Sequence, residues 1–101
     1  MSRKIVFSTE ARAQLDDLYD YIAAAASPAT ALRFNNAILD QLESLRDFPN
    51  VGTLRGDILP RLRTIGFRRR ATIAFVMEAT DVLVVGIFYG GQDFEIVLRD
   101  D

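Results

Sequence analysis

A change of hydrophobic period at Gly52 constrains this chain more than any other feature. Upstream, Ala11, Leu15, Leu18, Tyr19 and Ile22 recur at helical spacing, with Asp16, Asp17 and Asp20 between them. Ala31, Phe34, Ile38, Leu42 and Leu45 repeat the pattern up to Phe48. Ser8 or Thr9 reads as the N-cap of the first helix, with Glu10 in its first turn, where the helix dipole favours a negative charge. Ser27-Pro28 marks a restart: Ser27 caps a second helix and Pro28 takes its first position, where a missing N–H does no harm. Pro49-Asn50-Val51-Gly52 then ends the helical pattern. Two helices with so short a link must fold back on each other as an antiparallel hairpin.

Downstream, Leu62 to Ile65, Ala71 to Met77 and Val82 to Tyr89 are rich in β-branched and aromatic residues and read as strands. Thr80-Asp81 reads as a tight turn between the last two. Ile5-Val6-Phe7 reads as a short first strand. The predicted order is β-α-α-β-β-β, an α+β fold whose N-terminal helical hairpin packs on one antiparallel β-sheet. With 101 residues and no internal repeat, the chain 1–101 is expected to form a single domain.

The segment Val82-Leu83-Val84-Val85-Gly86-Ile87-Phe88 does not alternate. A strand with one wet face should alternate apolar and polar residues, and this one is apolar on both sides. The helical hairpin covers one face only. The other face is left to the Phe94–Leu98 tail, to a second chain, or to solvent.

Charge is partitioned along the chain. The net charge of −2 divides into −2 for residues 1–50, +5 for 51–75 and −5 for 76–101. The basic segment holds Arg55, Arg61, Arg63, Arg68, Arg69 and Arg70 against Asp57 alone. Lys4 is the one lysine among the 12 basic residues, and the planar guanidinium fork suits paired contacts with carboxylates or phosphates. On a strand, Arg68 and Arg70 point one way and Arg69 the other. Cysteine and histidine are both absent, which removes disulfides, thiolate metal sites and the usual acid–base residue. No cofactor or metal is expected. No signal peptide is expected at Met1–Ser8, and no run approaches the roughly 20 apolar residues of a membrane span. A cytoplasmic protein without membrane association is the expectation.

Three segments together resemble the RelE/ParE toxin family of type II toxin–antitoxin systems. They are Ala11-x-x-x-Leu15-x-x-Leu18-x-x-Tyr21-Ile22, Pro49-x-x-Gly52 and Phe88-Tyr89-Gly90-Gly91-Gln92-Asp93. Each is weak alone; their joint order in so short a chain is more specific, and the resemblance spans nearly the whole sequence. It implies a toxin neutralised by a cognate antitoxin encoded beside it. In the ParE branch the implied target is DNA gyrase. In the RelE branch it is messenger RNA on the ribosome.

Chemistry separates the branches. RNA cleavage through a ribose 2′-hydroxyl needs a base, an acid and cations at the phosphate. Arginine supplies only the last, because its proton is held too tightly. The nuclease alternative would rest on Arg63, Arg70 and Tyr89, with no evident base. A sequence pI near 5.0 also disfavours docking on a polyanion, so direct DNA binding by this chain alone is not expected. The ParE reading is preferred: a non-enzymatic gyrase inhibitor neutralised by a ParD-like antitoxin in a hetero-oligomer. An inactive interaction module of the same fold is a further alternative. The resemblance implies an antitoxin segment wrapped over the toxin, with apolar contacts expected at Leu15, Leu18, Tyr19, Ile22, Phe34 and Phe75. Acidic side chains of that segment are expected to pair with Arg68 or Arg70. The target-facing surface is expected at Arg68, Arg69, Arg70, Tyr89, Phe94 and Leu98.

Overall fold

Both helices begin where a serine hydroxyl takes up an otherwise orphaned backbone N–H. The computed structural model describes residues 3–48, 50–68 and 70–89. Strand β1 (Lys4–Phe7) leads into α1 (Thr9–Ala25), capped by the Ser8 side chain, which accepts from the Ala11 N–H at 3.0 Å. The chain turns at Ala26, and Ser27 caps α2 (Pro28–Ser44) by accepting from the Thr30 N–H at 3.1 Å. The two helices form the expected hairpin. Among the described residues, no helix is long and apolar enough to cross a membrane.

After α2 come β2 (Thr53–Leu54), β3 (Leu62–Phe67), β4 (Ala71–Met77) and β5 (Asp81–Tyr89). The sheet order is β1-β5-β4-β3-β2. Neighbours from β2 to β5 run antiparallel, but β1 lies parallel to β5, from Lys4 opposite Asp81 to Phe7 opposite Val84. The sheet is therefore mixed, and the wholly antiparallel expectation is corrected. Tight turns force antiparallel pairing, but β1 reaches β5 only after two helices and three strands, so no turn dictates its direction. Strand β2 was not expected: two residues carry no periodicity to read. The last turn lies one residue earlier than expected, with Ala79-Thr80 in the loop and the Glu78 N–H donating to the Asp81 carbonyl at 2.8 Å.

The main core lies between the hairpin and the sheet. Ala11, Leu15, Leu18 and Ile22 of α1 and Ala31, Ile38 and Leu42 of α2 face Phe67, Ile73, Phe75, Val82, Val84 and Ile87. A break in register explains why β5 does not alternate. Ala74 pairs with Gly86 and Phe75 with Val84, leaving Val85 as the extra residue of a β-bulge. Val82 and Val84 face the helices before the bulge; Ile87 does so after it, because one inserted residue reverses the parity.

The opposite face has its own cover. Ile58 packs there with Leu62, Ala74 and Phe88, and Leu59, Val76 and Val85 lie alongside. The link between β2 and β3 thus caps this face, an occupant that sequence reasoning did not consider. The link is held by the Arg55 N–H donating to the Leu62 carbonyl at 2.7 Å and by a two-point Arg55–Asp57 ion pair at 2.9–3.0 Å. The Phe94–Leu98 segment lies outside the described residues.

Candidate interaction surface

The end of the sheet where β3 turns into β4 gathers an aromatic cluster and two arginines. Ala71, the first residue of β4, pairs with Tyr89, the last of β5, so Tyr89 sits beside that turn. The Tyr89 ring lies 5.5 Å from that of Tyr21 on α1 and 6.1 Å, edge-on, from that of Phe34 on α2. Phe34 in turn meets Phe67 of β3 edge-on at 5.1 Å. Such tilted and edge-to-face pairs add roughly 0.5–1.5 kcal/mol each beyond their buried area. The cluster ties both helices to two strands and still reaches solvent, since Tyr21 is 59% exposed.

Arg68 and Arg70 stand on the turn above this cluster, both exposed. The turn closes through the Arg70 N–H donating to the Phe67 carbonyl at 3.0 Å. Arg68 holds a left-handed backbone (φ 50) and lays its guanidinium over the Phe67 ring at 5.1 Å. Among the described residues, neither arginine makes an ion pair. Because they lie in a turn, the alternation expected for a strand through 68–70 does not apply. A groove of about 420 Å³ opens next to Arg68, between Ala37, Asp40, Gln41 and Ser44 of α2 and Gly66-Phe67 of β3. Strand β2 pairs with β3 only at Arg63 and Thr64, so Ile65–Phe67 has no strand on its outer side among the described residues.

The predicted site residues divide sharply. Phe34, Arg68, Arg70 and Tyr89 converge here. Tyr19 is half-buried at the margin of the main core. Leu15, Leu18, Ile22 and Phe75 are core residues, Phe75 with no exposed surface at all, so the expectation that they form a partner-facing surface is corrected. Helical periodicity marks a face that will be buried, and here the protein's own sheet buries it. Arg69, Phe94 and Leu98 lie outside the described residues. The apolar surface that is free for a partner includes Tyr21 and Leu32 on the hairpin, 59% and 52% exposed. Neither was among the predicted contacts. Tyr21 had a signal: it directly precedes the core residue Ile22, which puts it on the outer flank of α1.

The residues of the nuclease alternative are spread along the sheet. Arg70 and Tyr89 are at one end of the sheet, whereas Arg63 pairs with Phe75 four residues along β4 from Ala71. At a rise of ~3.3 Å per residue, that separates Arg63 from the other two by roughly 13 Å. Among the described residues, no group of three or more acidic side chains is placed to hold a metal ion.

No curated protein matches the chain. Among solved structures it resembles one described as "Chromosomal ParDE TA system from P. aeruginosa", with a TM-score of 0.74 and 24% identity, covering 87% of this chain and 96% of that one. That likeness establishes a common fold. The model of the ParE toxin of type II toxin–antitoxin systems, parDE, matches residues 5–94, nearly the whole length. The chain therefore belongs to the ParE toxin family.

Proposed function

We propose that this chain is the toxin of a ParDE-type pair, that it inhibits DNA gyrase by binding it, and that a ParD-like antitoxin holds it inactive. The observation that carries this reading is the arrangement at the β3–β4 turn. Two arginines that make no ion pair among the described residues stand over an aromatic cluster, with no histidine or cysteine in the chain to pair with them in catalysis. Arginine and tyrosine are, with tryptophan, the residues enriched in protein–protein hot spots. Such a surface works by contact rather than by proton transfer.

In this reading the antitoxin occupies the same end of the molecule. Its acidic side chains pair with Arg68 or Arg70, and its apolar residues lie on Phe34, Tyr21 and the groove beside α2. Antitoxin and gyrase then compete for overlapping ground, which gives neutralisation a direct physical basis. Two experiments test the reading. Expression without the antitoxin should arrest growth with filamentation and DNA damage; rapid loss of translation with cleaved messages would contradict it. Arg68→Glu should weaken antitoxin binding, and reversing the partnered carboxylate to arginine should restore it. Failure of the restoration would remove the ion pair from the account.

A further inference from the structure

The arginines of the basic segment do not form one patch. Arg61 and Arg68 sit at opposite ends of β3, roughly 20 Å apart at the usual rise per residue. At the Arg61 end, Arg3, Arg61 and Arg63 line a second cleft of about 360 Å³, whose other walls are Asn50, Leu54 and Met77. Arg3 comes from the approach to β1 and is anchored by its Nε–H donating to the Glu78 carbonyl at 2.7 Å. An Arg63 Nη–H donates to the Asn50 carbonyl at 3.4 Å. Both contacts fix the side chains on neutral backbone oxygens. Among the described residues, none of the three makes an ion pair, in contrast to nearby Arg55, which is matched to Asp57.

Arg61 adds a conformational sign. Its φ of 63 is left-handed, a strained conformation for a residue with a side chain. Glycine at this position would carry no strain. Three like charges around one cleft also repel each other, a cost that a bound anion removes.

The surroundings select the kind of anion. Leu54, 57% exposed, and the half-buried Met77 put apolar surface next to the guanidiniums. Strand β2, which carries Leu54, is the last of the sheet and has no neighbour on its outer side among the described residues. An extended peptide finds three kinds of partner here: backbone groups along β2, apolar contact at Leu54, and arginines for its carboxylates. A nucleic acid finds only the charges, on a protein that carries a net −2 overall.

We propose that the Arg3–Arg61–Arg63 cleft is a second docking site, for an extended acidic segment of a partner protein in which carboxylates alternate with apolar residues. This does not depend on gyrase being the target, nor on the use made of Arg68 and Arg70.

The test uses the full chain and a fluorescent peptide of alternating glutamate and leucine, with a glutamine–leucine peptide and a single-stranded oligonucleotide as comparisons. The acidic peptide should bind, and the glutamine peptide should bind at least about tenfold more weakly, as expected for the loss of charge-assisted hydrogen bonds. Arg61→Gln with Arg63→Gln should weaken the acidic peptide by about tenfold or more, while Arg12→Gln, at an exposed position of α1, should leave it unchanged. Thermal melts show whether the variants fold. If the first pair does not fold, Arg3→Gln, ahead of β1, takes its place with the same expected direction. Absence of binding, binding indifferent to the cleft arginines, or tighter binding of the oligonucleotide would each overturn the proposal.

Discussion

Gly52 shows how a single residue couples the helical half of the chain to the sheet. Its φ of 87 lies where side chains are rarely tolerated, and a Cβ there would come within 2.5 Å of the Thr64 carbonyl oxygen. Gly52→Ala should therefore destabilise the fold by about 1–3 kcal/mol, read as a lowered midpoint in thermal or urea unfolding. An unchanged midpoint would mean the turn relaxes freely. Arg68 presents the opposite case. Its left-handed backbone would suit glycine, so Arg68→Gly should raise stability by up to about 1 kcal/mol, after allowance for the lost contact with the Phe67 ring. The same change should weaken antitoxin binding and toxicity. A gain in stability with full toxicity would show that the guanidinium plays no part. Stability given up at an exposed position is a common mark of a residue kept for function.

At the scale of elements, β5 is the strand on which the fold turns. Strand β1 runs alongside it only as far as Val84, and beyond that point the Gln14 side chain from α1 accepts the Ile87 N–H at 2.8 Å. A side chain thus does the work of an absent strand. Gln14→Leu should cost roughly 1–3 kcal/mol by stranding that N–H, and hydrogen exchange at Ile87 should accelerate. Unaltered exchange would show the contact to be dispensable. This contact joins residues 73 apart in sequence, and no local pattern announces it. The same holds for the Tyr21–Tyr89 ring pair and the parallel placement of β1. What could be read from the sequence was local: the Ser27 cap, the first cap to within one residue, the helical hairpin, and β3 to β5 to within two residues. The Val85 bulge defeated the alternation argument, because one inserted residue puts both parities of β5 on the core side. The candidate site was legible only in part: Arg68, Arg70, Phe34 and Tyr89, chosen by residue type and resemblance, lie together at the β3–β4 end, whereas Leu15, Leu18, Ile22 and Phe75 are buried, because an apolar stripe does not say what will cover it.

Across the whole molecule, the charge partition of the sequence becomes a geometric one. One pair of arginines crowns an aromatic cluster at the β3–β4 turn, and a trio lines the cleft at the far end of β3. Action of the toxin through contact at the β3–β4 turn, as proposed, is tested most directly by a gyrase supercoiling assay with purified chain, run beside an mRNA cleavage assay on translating ribosomes. Supercoiling should be inhibited by the native chain and largely restored by Arg68→Glu with Arg70→Glu, with messages left intact. Cleaved message with supercoiling unaffected would contradict the account.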